Sequence, residues 1–317
     1  MSISRFTRSG STGRCSLLAS LAAVALAGLC LVPGCSRGLS DRPLAEVITA
    51  AEKGGVPALH ELVERFGDLD PAVAQQAWEA AVKIGAPVVP ECLSALAAKD
   101  KNISEHAAGA LGALQAKDAV DGLIAALNRP DFRRYAAAWA LGEIADARAI
   151  PALVRALGDT DPETRKFATR SLTKFGPLAS DALLAALADT SAPVRRYAVR
   201  ALGQIQERRA VEPLLALEGK VDQDVLLWAF GRLGDLRGLP VLERSAGAPD
   251  WKVRLAAVQG LGDLADRAAV PALKKALADP EWIVREWAAR GLESVTGERF
   301  TYRDQHGKDV IPYSLYR

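Results

Sequence analysis

Histidine is the first residue type to weigh, because imidazole binds metals and moves protons near neutral pH. The chain has three. His60 stands beside Glu61, His106 follows Glu105, and His306 lies near the C-terminus. A metal site needs several ligands converging on one point, and three scattered histidines do not supply it. Cysteine is the second type, as a candidate nucleophile, lipid carrier or disulfide partner. The chain has four, at Cys15, Cys30, Cys35 and Cys92. The first three belong to an N-terminal segment unlike the rest, so Cys92 alone remains for the folded part and no disulfide framework is expected there.

That segment opens with the basic stretch MSISRFTRSGSTGR, continues through the uncharged CSLLASLAAVALAGLCLV and leaves through PGCSRG. A basic region, an apolar region and a small-residue exit describe a secretory signal. The exit VPGC resembles the bacterial lipobox, in which a small residue precedes a cysteine that is lipidated and becomes the new N-terminus. Gly34 and Cys35 fit the pattern, with Pro33 a less usual occupant. We therefore expect a lipoprotein signal at 1–34, lipid attachment at Cys35 and a short linker at 35–43. The address is the bacterial cell envelope, and Ser36 suggests the outer rather than the inner membrane. The linker spans at most about 30 Å, which keeps the folded part close to the bilayer.

Composition narrows the rest. Half of the chain is hydrophobic and a quarter is charged, which suits a packed fold. With Arg5, Arg8 and Arg14 removed with the signal, the 40 basic residues fall to 37 against 38 acidic. Such a balance does not favour nucleic acid as a partner.

The residues that recur at fixed spacing reveal the organisation. Anchored on Leu141, counterparts fall at Ala81, Leu111, Leu172, Leu202, Leu233, Leu261 and Leu292, about 30 residues apart. Four residues earlier stand Ala77, Ala107, Ala137, Ala168, Ala198, Ala229, Ala257 and Ala288. Three residues later every position is apolar, from Ile84 to Val295. These offsets share one helix face. A second helix follows each first one, opened at or near its start by Pro57, Pro90, Pro151, Pro240 or Pro271. Cys92 falls where other second helices carry Leu123, Leu153, Leu183 and Leu273, so it is expected to pack as a small apolar residue. A helix pair of this length buries too little surface alone, and stacking supplies the core.

Two further columns track the repeat. Arginine lies seven residues before the anchor at Arg134, Arg165, Arg195, Arg254 and Arg285. Asp131, Asp161 and Asp250 precede three of these at helix-surface spacing, which predicts ion pairs in a ladder tying the repeats together. Five residues before the anchor come His106, Phe167, Tyr197, Trp228 and Trp287, interrupted by Ala136 and Ala256. Packing between neighbouring first helices is the expected role, and a strip that grips a partner is the alternative. The tail 297–317 departs from the repeat. Its segments RFTYRD and DVIPY around QHGK predict a small hairpin that caps the last repeat, or else a docking segment.

The stretches RRYAAAWALGEIADARAIPALVRAL at 133–157 and VRLAAVQGLGDLADRAAVPALKKAL at 253–277 resemble the HEAT-repeat family, specifically the bacterial HEAT-like repeats of phycobilin lyases. The resemblance implies an all-α fold, a right-handed α-solenoid of about eight to nine helix pairs over 44–296, with second helices on the concave side. It also implies a binding scaffold more often than an enzyme. The hydroxylases of this fold hold two irons with several His-Glu pairs; here only His60-Glu61 has that form. We expect a non-catalytic scaffold that binds another protein, with no cofactor, no metal and no small-molecule substrate. An enzyme subunit of lyase type, acting on a bound cofactor or a modified protein, is the alternative. The partner surface is expected on outward residues of second helices: Arg155, Glu243, Arg244, Lys274 and Lys275.

Overall fold

The computed structural model describes residues 42–313. The signal sequence and Cys35 lie outside the described residues, as do the last four residues of the tail. The helices come in pairs, a long one followed by a short one in most repeats. Helix α1 (Leu44–Glu52) pairs with α2 (Val56–Glu64), α3 (Pro71–Ile84) with α4 (Val89–Ala95), and α5 (Lys101–Ala113) with α6 (Val120–Leu127). Then α7 (Arg134–Ile144) pairs with α8 (Ile150–Ala156), α9 (Pro162–Phe175) with α10 (Ser180–Ala186), and α11 (Ala192–Ile205) with α12 (Val211–Leu215). Finally α13 (Gln223–Leu233) pairs with α14 (Leu239–Ser245), and α15 (Trp251–Asp263) with α16 (Val270–Ala276). Helix α17 (Trp282–Thr296) has no partner helix among the described residues. Strands β1 (Tyr302–Arg303) and β2 (Asp309–Val310) come after it as an antiparallel pair. The fold is an α-solenoid.

Local chemistry sets the boundaries. Asp70, Asp100, Asp161 and Asp250 accept hydrogen bonds from backbone N–H groups in the first turn of α3, α5, α9 and α15. Proline at the start of α3, α4, α8, α9, α14 and α16 occupies positions whose N–H has no helical partner. The apolar columns then face inward. Ala137 and Leu141 of α7 and Leu153 of α8 are fully buried, as are their counterparts Ala107, Leu111 and Leu123.

The arginine column holds the stack, in a geometry different from the one expected. All but Arg134 donate to two backbone carbonyls of the turn before their own helix, Arg285 to Asp279 O and Pro280 O. Arg165 reaches Asp159 and Thr160, Arg195 reaches Asp189 and Thr190, and Arg254 reaches Ala248 and Pro249. Asp161 and Asp250 are not the column's ion-pair partners, because they accept from helix N–H groups, and Asp131 pairs with Arg129 instead. Carboxylate pairing instead crosses to the next repeat: Arg134 to Asp159 and Arg254 to Asp279. Burial alone would raise the Asp279 carboxyl, but the hydrogen bonds from Arg254 and from the Glu281 N–H outweigh it and hold it below the usual range. At the last repeat no further turn exists, and Arg285 donates to Arg303 O at 2.7 Å and Asp304 O at 3.3 Å in the hairpin.

A second arginine set ties the short helices, and the spacing of anchors did not disclose it. Arg148 bridges Asp146 and Asp121, Arg209 bridges Glu207 and Asp181, and Arg237 bridges Asp235 and Glu212. In each case an acid two residues earlier holds the guanidinium, which then reaches the preceding short helix.

The long helices meet at backbone distance. A Cβ on Gly142 would lie 3.0 Å from the Ser171 Cα, and one on Gly262 3.0 Å from the Gly291 Cα. The short helices touch their neighbours far less.

Helix α13 shows a shift of register. Its buried anchor is Phe230, one turn before Leu233. Gly231 meets Gly260 of α15 as Gly142 meets Ser171 of α9. Leu239 opens α14 at the same remove from Phe230 as Ile150 opens α8 from Leu141. The run Val225-Leu226-Leu227 is apolar throughout, so two registers one turn apart satisfy the pattern equally and the alanine at 229 misdirects the alignment.

Candidate partner-binding surface

The five charged residues expected to meet a partner sit on α8, α14 and α16, all exposed. They form no single cluster, since α8 is separated from α14 by two repeats. Arg244 is engaged, holding both oxygens of Glu218 at 2.8 Å. The recesses lie elsewhere, between neighbouring long helices.

The first recess spans α3, α5, α7 and α9. It is lined by Trp78, Glu105, His106, Tyr135, Trp139 and Phe167, among others. Gly109 keeps it open: a Cβ there would lie 3.3 Å from the Trp78 indole nitrogen. Tyr135 stacks on Phe167 at 5.9 Å between centroids. Its hydroxyl donates to Glu105, which also accepts from Arg133. Burial and the Glu105 carboxylate push the Tyr135 hydroxyl up to about 12, so it serves as a fixed donor rather than an acid or base.

Three further recesses continue the row. One lies between α9 and α11 and holds Tyr197. The next holds Trp228, with the Arg200 guanidinium 5.7 Å from the indole centroid. The last lies between α15 and α17, with Trp287 beside Asp263, Arg290 and Tyr313. There Arg290 sits 5.2 Å from the Trp287 centroid, and burial raises the Asp263 carboxyl.

The aromatic column therefore does two things. Trp78, Tyr135, Phe167, Tyr197, Trp228 and Trp287 pack against the core, yet each keeps a partly exposed face in a recess. Trp78, Tyr135 and Trp139 join the strip although they lie off the expected column, and Trp228, counted from the Phe230 anchor, falls at the position of Trp139. They occupy neighbouring positions on the same helix face, so a search over a whole face, rather than one offset, finds them.

The other candidates are accounted for. His60 contacts Glu91 at 3.0 Å on the helix surface, and His106 contacts the Asn102 carbonyl. Among the described residues no group of His, Cys, Asp and Glu could hold a metal ion. Cys92 is fully buried, and burial pushes its thiol up to about 12. It fills the leucine position without nucleophilic character.

The hairpin sits on α17 through Arg285, and Phe300 packs against the core. Tyr313 is 81% exposed and extends the last recess. No helix of the described residues is long and apolar enough to cross a membrane.

Stacked helix pairs tied by arginine ladders, with recesses along one row, define an α-solenoid repeat protein. The family model described as HEAT repeats matches residues 56–139, 129–189, 180–249 and 238–301. The chain belongs to the HEAT-repeat family and is a HEAT-repeat scaffold. Among solved structures it is similar to Kap95p in a complex with RanGDP, at 14% identity and TM-score 0.55, over 81% of this chain and 42% of that one. It is also similar to yeast importin-beta (Kap95p), at 16% identity and TM-score 0.52, over 79% and 41%. The CpcE–CpcF complex of phycocyanin lyase from Nostoc sp. PCC7120 is similar at 26% identity and TM-score 0.42, over 46% of this chain and 99% of that one. No curated protein matches the chain.

Proposed function

We propose that this HEAT-repeat unit is a non-catalytic scaffold of the bacterial cell envelope, anchored through lipid on Cys35, that binds another protein along its long-helix row. One observation carries the binding surface: a strip of half-exposed rings from Trp78 to Trp287, set in recesses between helices that the ladders hold rigid. Rigid aromatic faces beside cations are the usual anchors of protein interfaces, because they bury much area at little cost in side-chain entropy. The acid at the centre of the first recess is held by its neighbours in the Arg133–Glu105–Tyr135 contact, which supports binding over catalysis. The Kap95p structure, a complex with RanGDP, offers a parallel for protein binding by this fold. The anchor rests on the sequence of the first 36 residues alone.

The test has two parts. Mass spectrometry of the mature chain from membranes reads the N-terminus: a lipidated Cys35 supports the anchor, and an unmodified N-terminus at another residue overturns it. Crosslinking of the anchored chain, followed by purification, reads the partner. A protein joined to the long-helix row supports the scaffold. Recovery of the chain alone, or crosslinks confined to α8, α14 and α16, would overturn this surface.

A further inference from the structure

The geometry points to the groove between α9 and α11 as a site for a short acidic segment of a partner protein, seated with its carboxylates on Arg170 and Arg200. The inference rests on the scaffold reading and names the chemistry of the partner.

The solvent-facing ridge of each long helix is formed by the positions six and two before the anchor and two after it. On α9 these are Lys166, Arg170 and Lys174, and on α11 they are Arg196, Arg200 and Gln204. Five of the six are cations and none is an acid. The ridges on either side do not continue the run of cations: the preceding helices carry Glu79, Lys83, Glu105 and Glu143, and the next two along the stack carry Asp224, Arg232 and Asp263.

Neighbouring acids neutralise part of this band. Lys174 pairs with Glu143, Arg196 with Asp222 and Asp224, and Lys166 with Glu163. Arg170 and Arg200 have no carboxylate partner among the described residues, although twenty-two ion pairs occur there. Both are exposed and both line the groove.

The groove is open for a reason legible in the side chains. Thr173 stands at the position where Gly112, Gly142 and Gly262 let neighbouring long helices touch. Its hydroxyl lies 2.8 Å from Gln204 Oε1 of α11, so the two helices are bridged by side chains rather than packed backbone to backbone. Tyr197 forms an aromatic wall, and Trp228 lies beneath Arg200.

Size and sign select the occupant. Lys166 to Lys174 spans about 12 Å of helix, the length of about four residues of extended chain. The run of cations stops at the neighbouring ridges, so a longer polyanion gains no further contacts and nucleic acid is disfavoured. Lys166, Arg170, Lys174 and Arg200 line the walls of a recess whose one acid, Glu163, is paired with Lys166, which suits a narrow chain better than a flat anionic bilayer.

The experiment uses the full chain and a fluorescein-labelled synthetic Glu-rich peptide, read by fluorescence anisotropy. The expected result is saturable binding that weakens with salt and falls at least about tenfold in R170E/R200E. The control R155E/K274E, on the short helices, keeps wild-type affinity. Equal binding by R170E/R200E overturns the inference, as does binding to phosphatidylglycerol vesicles in place of the peptide. Unchanged thermal melting of both double variants separates lost binding from lost fold. The crosslinked partner distinguishes the two readings. If R170E/R200E still captures it, this groove is wrong and the scaffold stands; if wild type captures nothing, the scaffold itself fails.

Discussion

Arg254 and Asp279 meet as a two-point pair, Nε to Oδ2 at 2.7 Å and Nη2 to Oδ1 at 3.0 Å, across the junction of two repeats. The third nitrogen of the same guanidinium closes the turn before α15 through Ala248 O and Pro249 O. One side chain thus fixes the entry to its own helix and the position of the next unit. Only arginine offers enough donors in a planar fork to do both.

Removing it should cost more than removing a rung that lacks the carboxylate. Both side chains of the Arg254–Asp279 pair are nearly buried, at 11% and 6% exposure, so Arg254→Ala strands a charge. We expect a loss of about 2 kcal/mol, below the range for fully buried pairs. Arg165→Ala removes backbone caps and a contact over the Tyr197 ring, at 5.6 Å from its centroid, but strands no carboxylate, and should lose about 1 kcal/mol. Urea denaturation of the two variants checks the order. Equal midpoints would show that the junction pair adds nothing beyond the turn.

The close approach of the long helices makes a second expectation opposite in sign to helix propensity. Alanine is favoured over glycine inside a helix by about 1 kcal/mol. At Gly142 a Cβ would lie 2.1 Å from Ser171 Oγ and 2.6 Å from its Cβ. Gly142→Ala should therefore destabilise, by about 2 kcal/mol net of the propensity gain. Ser171→Gly introduced with it should restore part of the loss, because the clash is with that side chain. A stabilised Gly142→Ala would mean that the helices separate at little cost.

These contacts show which parts of the molecule the sequence disclosed. The helix pairs were legible because each stacks only on its neighbours, so the same burial demand recurs at the same offset, as at Ala137 and Leu141. The partners of the arginines were not, because carbonyls such as Asp159 O carry no residue signature and Asp279 lies a full repeat away. Helix α13 misled because Leu226, Leu227, Phe230 and Leu233 satisfy two registers. Charge on short helices reads as outward, which is why Arg155, Glu243, Arg244, Lys274 and Lys275 stand out in the sequence as a partner surface. The recesses instead arise from glycine and threonine at backbone contacts, and a one-residue choice such as Thr173 has no periodic signal.

Acid should loosen the short-helix row in a defined window. Hydrogen bonding from Arg209 holds Glu207 down to about 2, and Arg237 does the same for Asp235. Unfolded carboxyls titrate near 4. A depressed folded value means that the stabilisation is fully present above about pH 4 and is lost as pH falls toward 2. Added salt should shrink the effect, because both arginines are half exposed. The double variant R209A/R237A should flatten the fall in urea midpoint across that window. A slope as steep as that of the wild type would assign acid loosening to other carboxylates.

The hairpin answers a problem that the ladder creates at its end. Every earlier junction offers the column arginine a further turn, as Arg134 has Asp159 and Arg254 has Asp279. Arg285 has none, and the carbonyls of Arg303 and Asp304 take that place, while Phe300 and the buried Pro312 cover apolar surface. A terminal repeat without cover exposes the face that its neighbour would have buried. Deleting residues 299–317 should therefore speed amide exchange in α17 and lower the first thermal transition, with α3 to α9 left unchanged. Restoring only β1 and β2, through residue 312, should recover most of that protection. A truncated chain whose α17 exchanges at the wild-type rate would show that the hairpin covers nothing, and would leave docking as the role of the tail.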